Sequence, residues 1–216
     1  MKILFIGNSY TYYNDLPAIF SALCEENGQS VDTASVTKGG WKLHQYLDVE
    51  NEYAEALRAH LTEEFDVVFL QEQSLLPVLD PDAFRDGVRR IKEAFGAHAK
   101  RVILYVTWGR KEGAKALEEH GLTRESMTEG LAQAYEAAAR DFGCDFSPVG
   151  KAFLRMKALA PEIDLYHPDL THPSRTGSCL AALVHYKTVF GALPNHIASL
   201  ALSEEESRAL LTAAKG

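Results

Sequence analysis

Cysteine is scarce in this 216-residue chain: Cys24, Cys144 and Cys179 are odd in number, widely spaced and never arranged as CxxC. That argues against a disulfide framework and against a thiolate metal site, and leaves buried reduced thiols as the expectation. Basic clusters are lacking too. With 22 Lys and Arg against 30 Asp and Glu, the formal net charge is −8 at pH 7. Neither nucleic acid nor an anionic membrane is therefore an expected partner, because both reward clustered positive charge. Long apolar runs are missing as well. The first, Ile3 to Ile6, follows a single lysine, is far shorter than a signal-peptide core and leads straight into a glycine turn. It reads as a strand, so a cytoplasmic protein is expected. No internal repeat and no low-complexity linker interrupts the chain.

What is present is enough apolar material, 46 % of the residues, for one substantial core and rather little for two. One domain over residues 1–216 is expected. Short β-rich apolar runs alternate with longer helical patterns, which is the signature of βαβ units around a parallel sheet. Five strands are predicted, at Lys2 to Ile6, Val31 to Val36, Asp66 to Leu70, Arg101 to Thr107 and Cys144 to Ser147. Helical spacing relates Leu16, Ile19, Phe20 and Leu23, and again Val88, Ile91 and Phe95; the alanine-rich stretch Glu125 to Phe142 is a strong helix former. Ser203 with Glu206 forms a capping-box pattern, and Ser174 can cap a helix running towards Phe190. The stretch Pro161 to Pro173 is a loop, and loops at the carboxyl ends of parallel strands are where such folds place their chemistry.

The first strand ends in Gly7-Asn8-Ser9, and Asp15 and Pro17 then open a helix. A serine here sits on a tight strand-to-helix turn with backbone N–H groups nearby to receive a developing oxyanion. Taken alone, Gly-Asn-Ser also reads as a plain turn. Far along the chain, Asp169-Leu170-Thr171-His172 offers an imidazole and a carboxylate at a spacing that one turn of loop can bring together. A serine nucleophile needs such a base, oriented by such an acid. A metal site from His167, Asp169 and His172 is the rival, but no fourth ligand is indicated and the serine would go unexplained. Gly39-Gly40, after the second strand, can bring bare N–H groups to a reacting carbonyl. Gln71 and Gln73, after the third, offer side-chain amides. Tyr10, Tyr12, Tyr13 and Trp41 flank this region; Tyr10 and Trp41 are candidates to contact a sugar ring or acyl chain, with ordinary packing as the alternative.

The order of these four blocks resembles that of the SGNH (GDSL-like) hydrolases, over nearly the whole chain. The resemblance implies a flavodoxin-like three-layer α/β/α sandwich with a five-stranded parallel sheet. It implies Ser9 as nucleophile, His172 as general base and then acid, and Asp169 as the group orienting His172. It also implies an oxyanion hole from the N–H of Ser9, an N–H of Gly39 or Gly40, and an amide side chain. The family's usual third-block residue is asparagine, which is absent here; counting from the strand puts Gln73 at that position and Gln71 where glycine is usual. The implied activity is hydrolysis of a small-molecule carboxylic ester, a short acyl or O-acetyl group on an alcohol such as a carbohydrate, with neither metal nor organic cofactor. Two rivals from other classes are a flavodoxin-type electron-transfer module, with FMN phosphate held by the Ser9-Tyr10-Thr11 hydroxyls, and a catalytically silent carbohydrate-binding protein.

Overall fold

The computed structural model describes residues 1–216. In chain order the elements are β1 (Lys2–Gly7), α1 (Ser9–Tyr12), α2 (Leu16–Glu26), β2 (Asp32–Thr37), α3 (Gln45–Asp48), α4 (Glu52–His60), β3 (Val67–Leu70), α5 (Leu76–Leu79) and α6 (Pro81–Phe95). They continue with β4 (Val102–Tyr105), α7 (Lys115–Glu119), α8 (Arg124–Phe142), β5 (Asp145–Ser147), α9 (Val149–Leu159), α10 (Arg175–Phe190) and α11 (Glu204–Lys215). The five strands form one all-parallel sheet in the order β2-β1-β3-β4-β5. The predicted strands are all present, with ends shifted by a residue or two. The fourth is the most shortened, stopping at Tyr105, although the Val106 N–H still bonds the carbonyl of Ser147.

Alternation along β1 divides the core. Ile3 and Phe5 point into one apolar layer, with α2, α9, α10 and α11; Leu4 and Ile6 point into the other, with α4, α6 and α8. Both faces of the sheet are thus covered by helices, as an all-parallel sheet requires. The cap signals in the sequence locate the helix starts. Asp15 caps α2, Ser174 caps α10, and Ser203 and Glu206 make both halves of a capping box on α11. No helix is long and apolar enough to cross a membrane.

The strand order matters for the site. The chain steps from β1 outward to β2 and then back across to β3, so the loops after these strands diverge at the carboxyl edge and leave a crevice. Ser9 follows β1 at that point.

Candidate active site

The turn after β1 is built around a buried amide. Gln71 sends its Oε1 to the N–H of Asn8 at 2.8 Å and the hydroxyl of Thr11 at 2.9 Å, while its Nε2 donates to Asn8 Oδ1 at 2.9 Å and to the carbonyl of Glu72. This close approach needs a glycine at position 7, where a Cβ would come within 2.6 Å of Gln71 Oε1. Asn8 caps α1 through the N–H of Tyr10 and donates from Nδ2 to the Trp41 carbonyl at 3.0 Å. Ser9 is thereby fixed as the first residue of a short helix, half-buried, with an N–H that has no partner in the chain.

The loop Tyr166–Pro173 carries the other half. An antiparallel bridge joins its ends, and the His167 N–H bonds the His172 carbonyl at 2.8 Å. Inside it, Leu170 takes a left-handed φ of 64°, and Asp169 Oδ1 accepts the N–H groups of Thr171 and His172, each at 2.9 Å. The second carboxylate oxygen, Oδ2, lies 2.8 Å from His172 Nδ1, and His172 Nε2 lies 2.8 Å from Ser9 Oγ. A carboxylate only accepts, so Nδ1 carries the hydrogen and Nε2 is left to accept from the serine hydroxyl. Burial raises the Asp169 carboxyl, but the His172 N–H, its imidazole and the Thr171 N–H outweigh this and hold it well below the usual carboxylate range. The loop is tied to the Ser9 segment by Asn14, whose Nδ2 donates to the Pro173 carbonyl at 3.1 Å, and by Tyr13, whose ring stacks on His172.

His167 Nδ1 sits 2.9 Å from the same Asp169 oxygen. The two imidazoles share one acceptor rather than opening towards a common point, and no group of three or more His, Cys, Asp or Glu side chains is arranged to hold a metal ion.

Between the two halves lies a hollow of about 220 Å³, lined by Asn8, Ser9, Tyr10, Gly40, Gln73, Ser74, Arg110, Thr171 and His172. Gly40 stands in a turn closed by the Trp41 N–H on the Lys38 carbonyl and has a left-handed φ of 72°. Gly39 packs under the Tyr12 hydroxyl instead of lining the hollow. Neither glycine N–H has a partner in the chain.

The two glutamines separate cleanly. Gln73 Oε1 accepts the N–H groups of Leu75 and Leu76 at 2.8 and 3.0 Å, so its Nε2 is left without a partner in a residue that lines the hollow. Gln71 must be struck from the oxyanion candidates: it is buried and both hydrogens of its amide are engaged. Trp41 is a second correction, since its indole packs on Tyr46 and Tyr53 and only its carbonyl serves the site. Tyr10 does line the hollow, with its ring stacked on Trp108 at 4.8 Å.

Two residues were missed in the sequence. Arg110, beyond β4, enters the hollow; nothing in its spacing signals this, only the rule that chemistry gathers at strand carboxyl ends. Glu72 is fully buried and accepts the N–H of Leu43 at 3.1 Å and of Gln73 at 2.6 Å. It thus ties the loop after β2 to the turn bearing Gln73. Burial pushes its carboxyl up to about 8, against those N–H bonds and the charge of Lys42.

A larger hollow of about 400 Å³ lies behind the loop, near Arg124 and Asp164, and holds no nucleophile beside a base.

No family model matches the chain, and no curated protein matches it. Solved structures do. A protein from Slackia heliotrinireducens, provisionally described as an SGNH hydrolase, is 31 % identical over 88 % of this chain and 98 % of its own, with a TM-score of 0.77. A DUF4886 family protein from Bacteroides uniformis is 18 % identical over 99 % of this chain and 93 % of its own, with a TM-score of 0.77. A variant of an acetyl xylan esterase from Geobacillus stearothermophilus is 16 % identical over 90 % and 97 %, with a TM-score of 0.63. The last two share the fold.

Proposed function

Since the chain belongs to the SGNH family of ester-bond hydrolases, we propose that it is a serine esterase that removes a short acyl group, such as acetyl, from a polar alcohol of carbohydrate type. One observation carries the serine mechanism: the unbroken relay from Asp169 through His172 to Ser9 Oγ, at 2.8 Å on each side of the imidazole.

With an ester carbonyl in the hollow, His172 Nε2 takes the Ser9 proton as Oγ attacks the carbonyl carbon. Asp169, already ionised, stabilises the imidazolium that forms. The negative charge moves to the carbonyl oxygen, where the N–H groups of Ser9 and Gly40 and the Nε2 of Gln73, none of them bonded within the chain, belong to residues that line the hollow. Collapse expels the alcohol, which receives its proton from His172. A water then enters, gives its proton to His172 and releases the acid from Ser9 by the same steps in reverse order. Each donor is fixed before the reaction, so no reorganisation is needed as charge develops.

The substrate class is supported by the size of the hollow and its lining, in which Tyr10 is the one ring besides His172. A long acyl chain would meet polar walls. The flavin alternative is not favoured, because the Thr11 hydroxyl is given to Gln71 and the Ser9 hydroxyl to His172, leaving neither for a phosphate. The test is to treat the protein with an organophosphonate and locate the adduct by mass spectrometry. A single adduct on Ser9, lost in His172→Ala, is expected; labelling elsewhere with Ser9 free overturns the reading.

A further inference from the structure

Five buried side-chain polar atoms in the protein have no hydrogen-bond partner, and two of them, Tyr10 Oη and Arg110 Nε, belong to residues that line the catalytic hollow. The pair lie close together. Arg110 is the charge that most strongly opposes the effect of burial on the Tyr10 phenol, and both stand beside Ser74.

Arg110 is underused. Of its five N–H donors, one makes a bond to the chain, from Nη2 to Ser74 Oγ at 3.2 Å. No carboxylate neutralises it, and the residues lining the hollow include no Asp or Glu. Neighbouring cations are treated otherwise: Lys111 pairs with Asp164, and Arg124 with Glu112 at 3.4 Å. In a chain with a net charge of −8, acids are plentiful, yet none forms an ion pair with this guanidinium. The Nε of this half-buried guanidinium has lost water without gaining an acceptor and no acid balances its charge, which is costly unless a ligand supplies the missing acceptor; the buried Tyr10 phenol and Ser74 stand against it and hold it in place.

Building on the serine-esterase reading, we propose that Arg110, positioned by Tyr10 and Ser74, is an anion receptor, and that the preferred substrate is an ester carrying a carboxylate or phosphate beside the scissile bond. Such a group offers several acceptor oxygens. The planar fork of Arg110 can meet two of them, while Tyr10 and Ser74 behind it fix its orientation. Because the receptor shares a small hollow with Ser9, the charge must lie on the alcohol a few atoms from the ester oxygen. The interaction exists before and during reaction, so it acts mainly through KM.

The test uses three aryl acetates of one shape: 3-acetoxybenzamide, which is neutral, 3-acetoxybenzoate and 3-acetoxyphenyl phosphate. For the wild-type protein, kcat/KM for one of the charged esters should exceed that of the neutral ester by roughly tenfold or more, the scale of a charge-assisted hydrogen bond, with the difference in KM. Which charged ester leads identifies the anion. Arg110→Gln should reduce the charged-to-neutral ratio at least tenfold, Arg110→Lys should retain part of it, and Tyr10→Phe should lower it several-fold. A wild-type ratio at or below one for both anions, or a ratio unchanged in Arg110→Gln, overturns the receptor. If the neutral ester is hydrolysed and Ser9→Ala abolishes that, a flat ratio condemns the receptor alone; hydrolysis surviving Ser9→Ala condemns the esterase reading itself.

Discussion

The ring of Tyr13 lies face to face with the imidazole of His172, with centroids 4.1 Å apart and planes 8° from parallel. Tyr13 directly follows the short helix that Ser9 opens, and His172 sits on the distant loop, so the stack fixes the imidazole plane relative to Ser9. Aromatic pairs of this kind contribute about 0.5–1.5 kcal/mol. Tyr13→Ala should therefore lower kcat roughly three- to tenfold, while Tyr13→Phe stays near wild type. Equal losses in the two variants would mean that the hydroxyl, not the stack, matters.

Ser9→Ala and His172→Ala should each remove on the order of 10⁶ in turnover, with little change in melting temperature. Asp169→Asn should cost about 10⁴, because the imidazole would take the wrong tautomer. His167→Ala should cost only a few-fold: its Nδ1 shares the carboxylate but does not reach Ser9. Steady-state kinetics on a short acyl ester decide all four, and a His167 loss as large as that of His172 would contradict the relay.

The glutamines make an internal control. Gln73→Ala should lower kcat by roughly 10² to 10³ at nearly constant KM, as for loss of one oxyanion donor. Gln71→Ala should act on stability instead, since it strands the Asn8 N–H and the Thr11 hydroxyl in a buried site, at about 1–3 kcal/mol each. Denaturant titration beside kinetics separates the two roles.

Glu72 gives a pH signature. Its carboxyl is raised from 4.5 to about 8 in the fold by burial. The protonated form thus stabilises the native state fully below the unfolded value, and that contribution fades as pH rises through the window towards 8. Glu72→Gln, which cannot ionise, should gain on the wild type by up to about 1.4 kcal/mol for each pH unit across that window. Urea midpoints at pH 5 and pH 8 measure it; a pH-independent difference would show that Glu72 titrates normally.

Strands β1, β3 and β4 were legible because each is a compact apolar run, β2 and β5 through their place in the alternation with helices, and the capped helices α2, α10 and α11 because a cap residue marks each start. Helices α7 and α9 follow Ala114 and Pro148, neither of which offers a side-chain cap, so no start signal exists to read. Ser9, Asp169 and His172 were legible through chemistry that restricts residue type and spacing. Strand alternation placed Gln71 and Gln73 on one side, but β3 ends at Leu70, and Gln71 turns back into the space that Gly7 leaves open. Arg110 was invisible for a different reason: a lone arginine has no spacing, and its meaning lies in which acids fail to face it.

Ser9 and His172 are 163 positions apart, yet share a hydrogen bond. During synthesis at roughly 5–20 residues per second, Ser9 waits on the order of ten seconds or more before His172 exists. Until then Ser9 is an ordinary hydroxyl, and the same holds for any amino-terminal fragment that stops short of the loop, however well its strands pair. On the serine-esterase reading, hydrolytic activity is consequently a clock for the arrival of the distant loop: it can be switched on only once Ser9 and His172 meet.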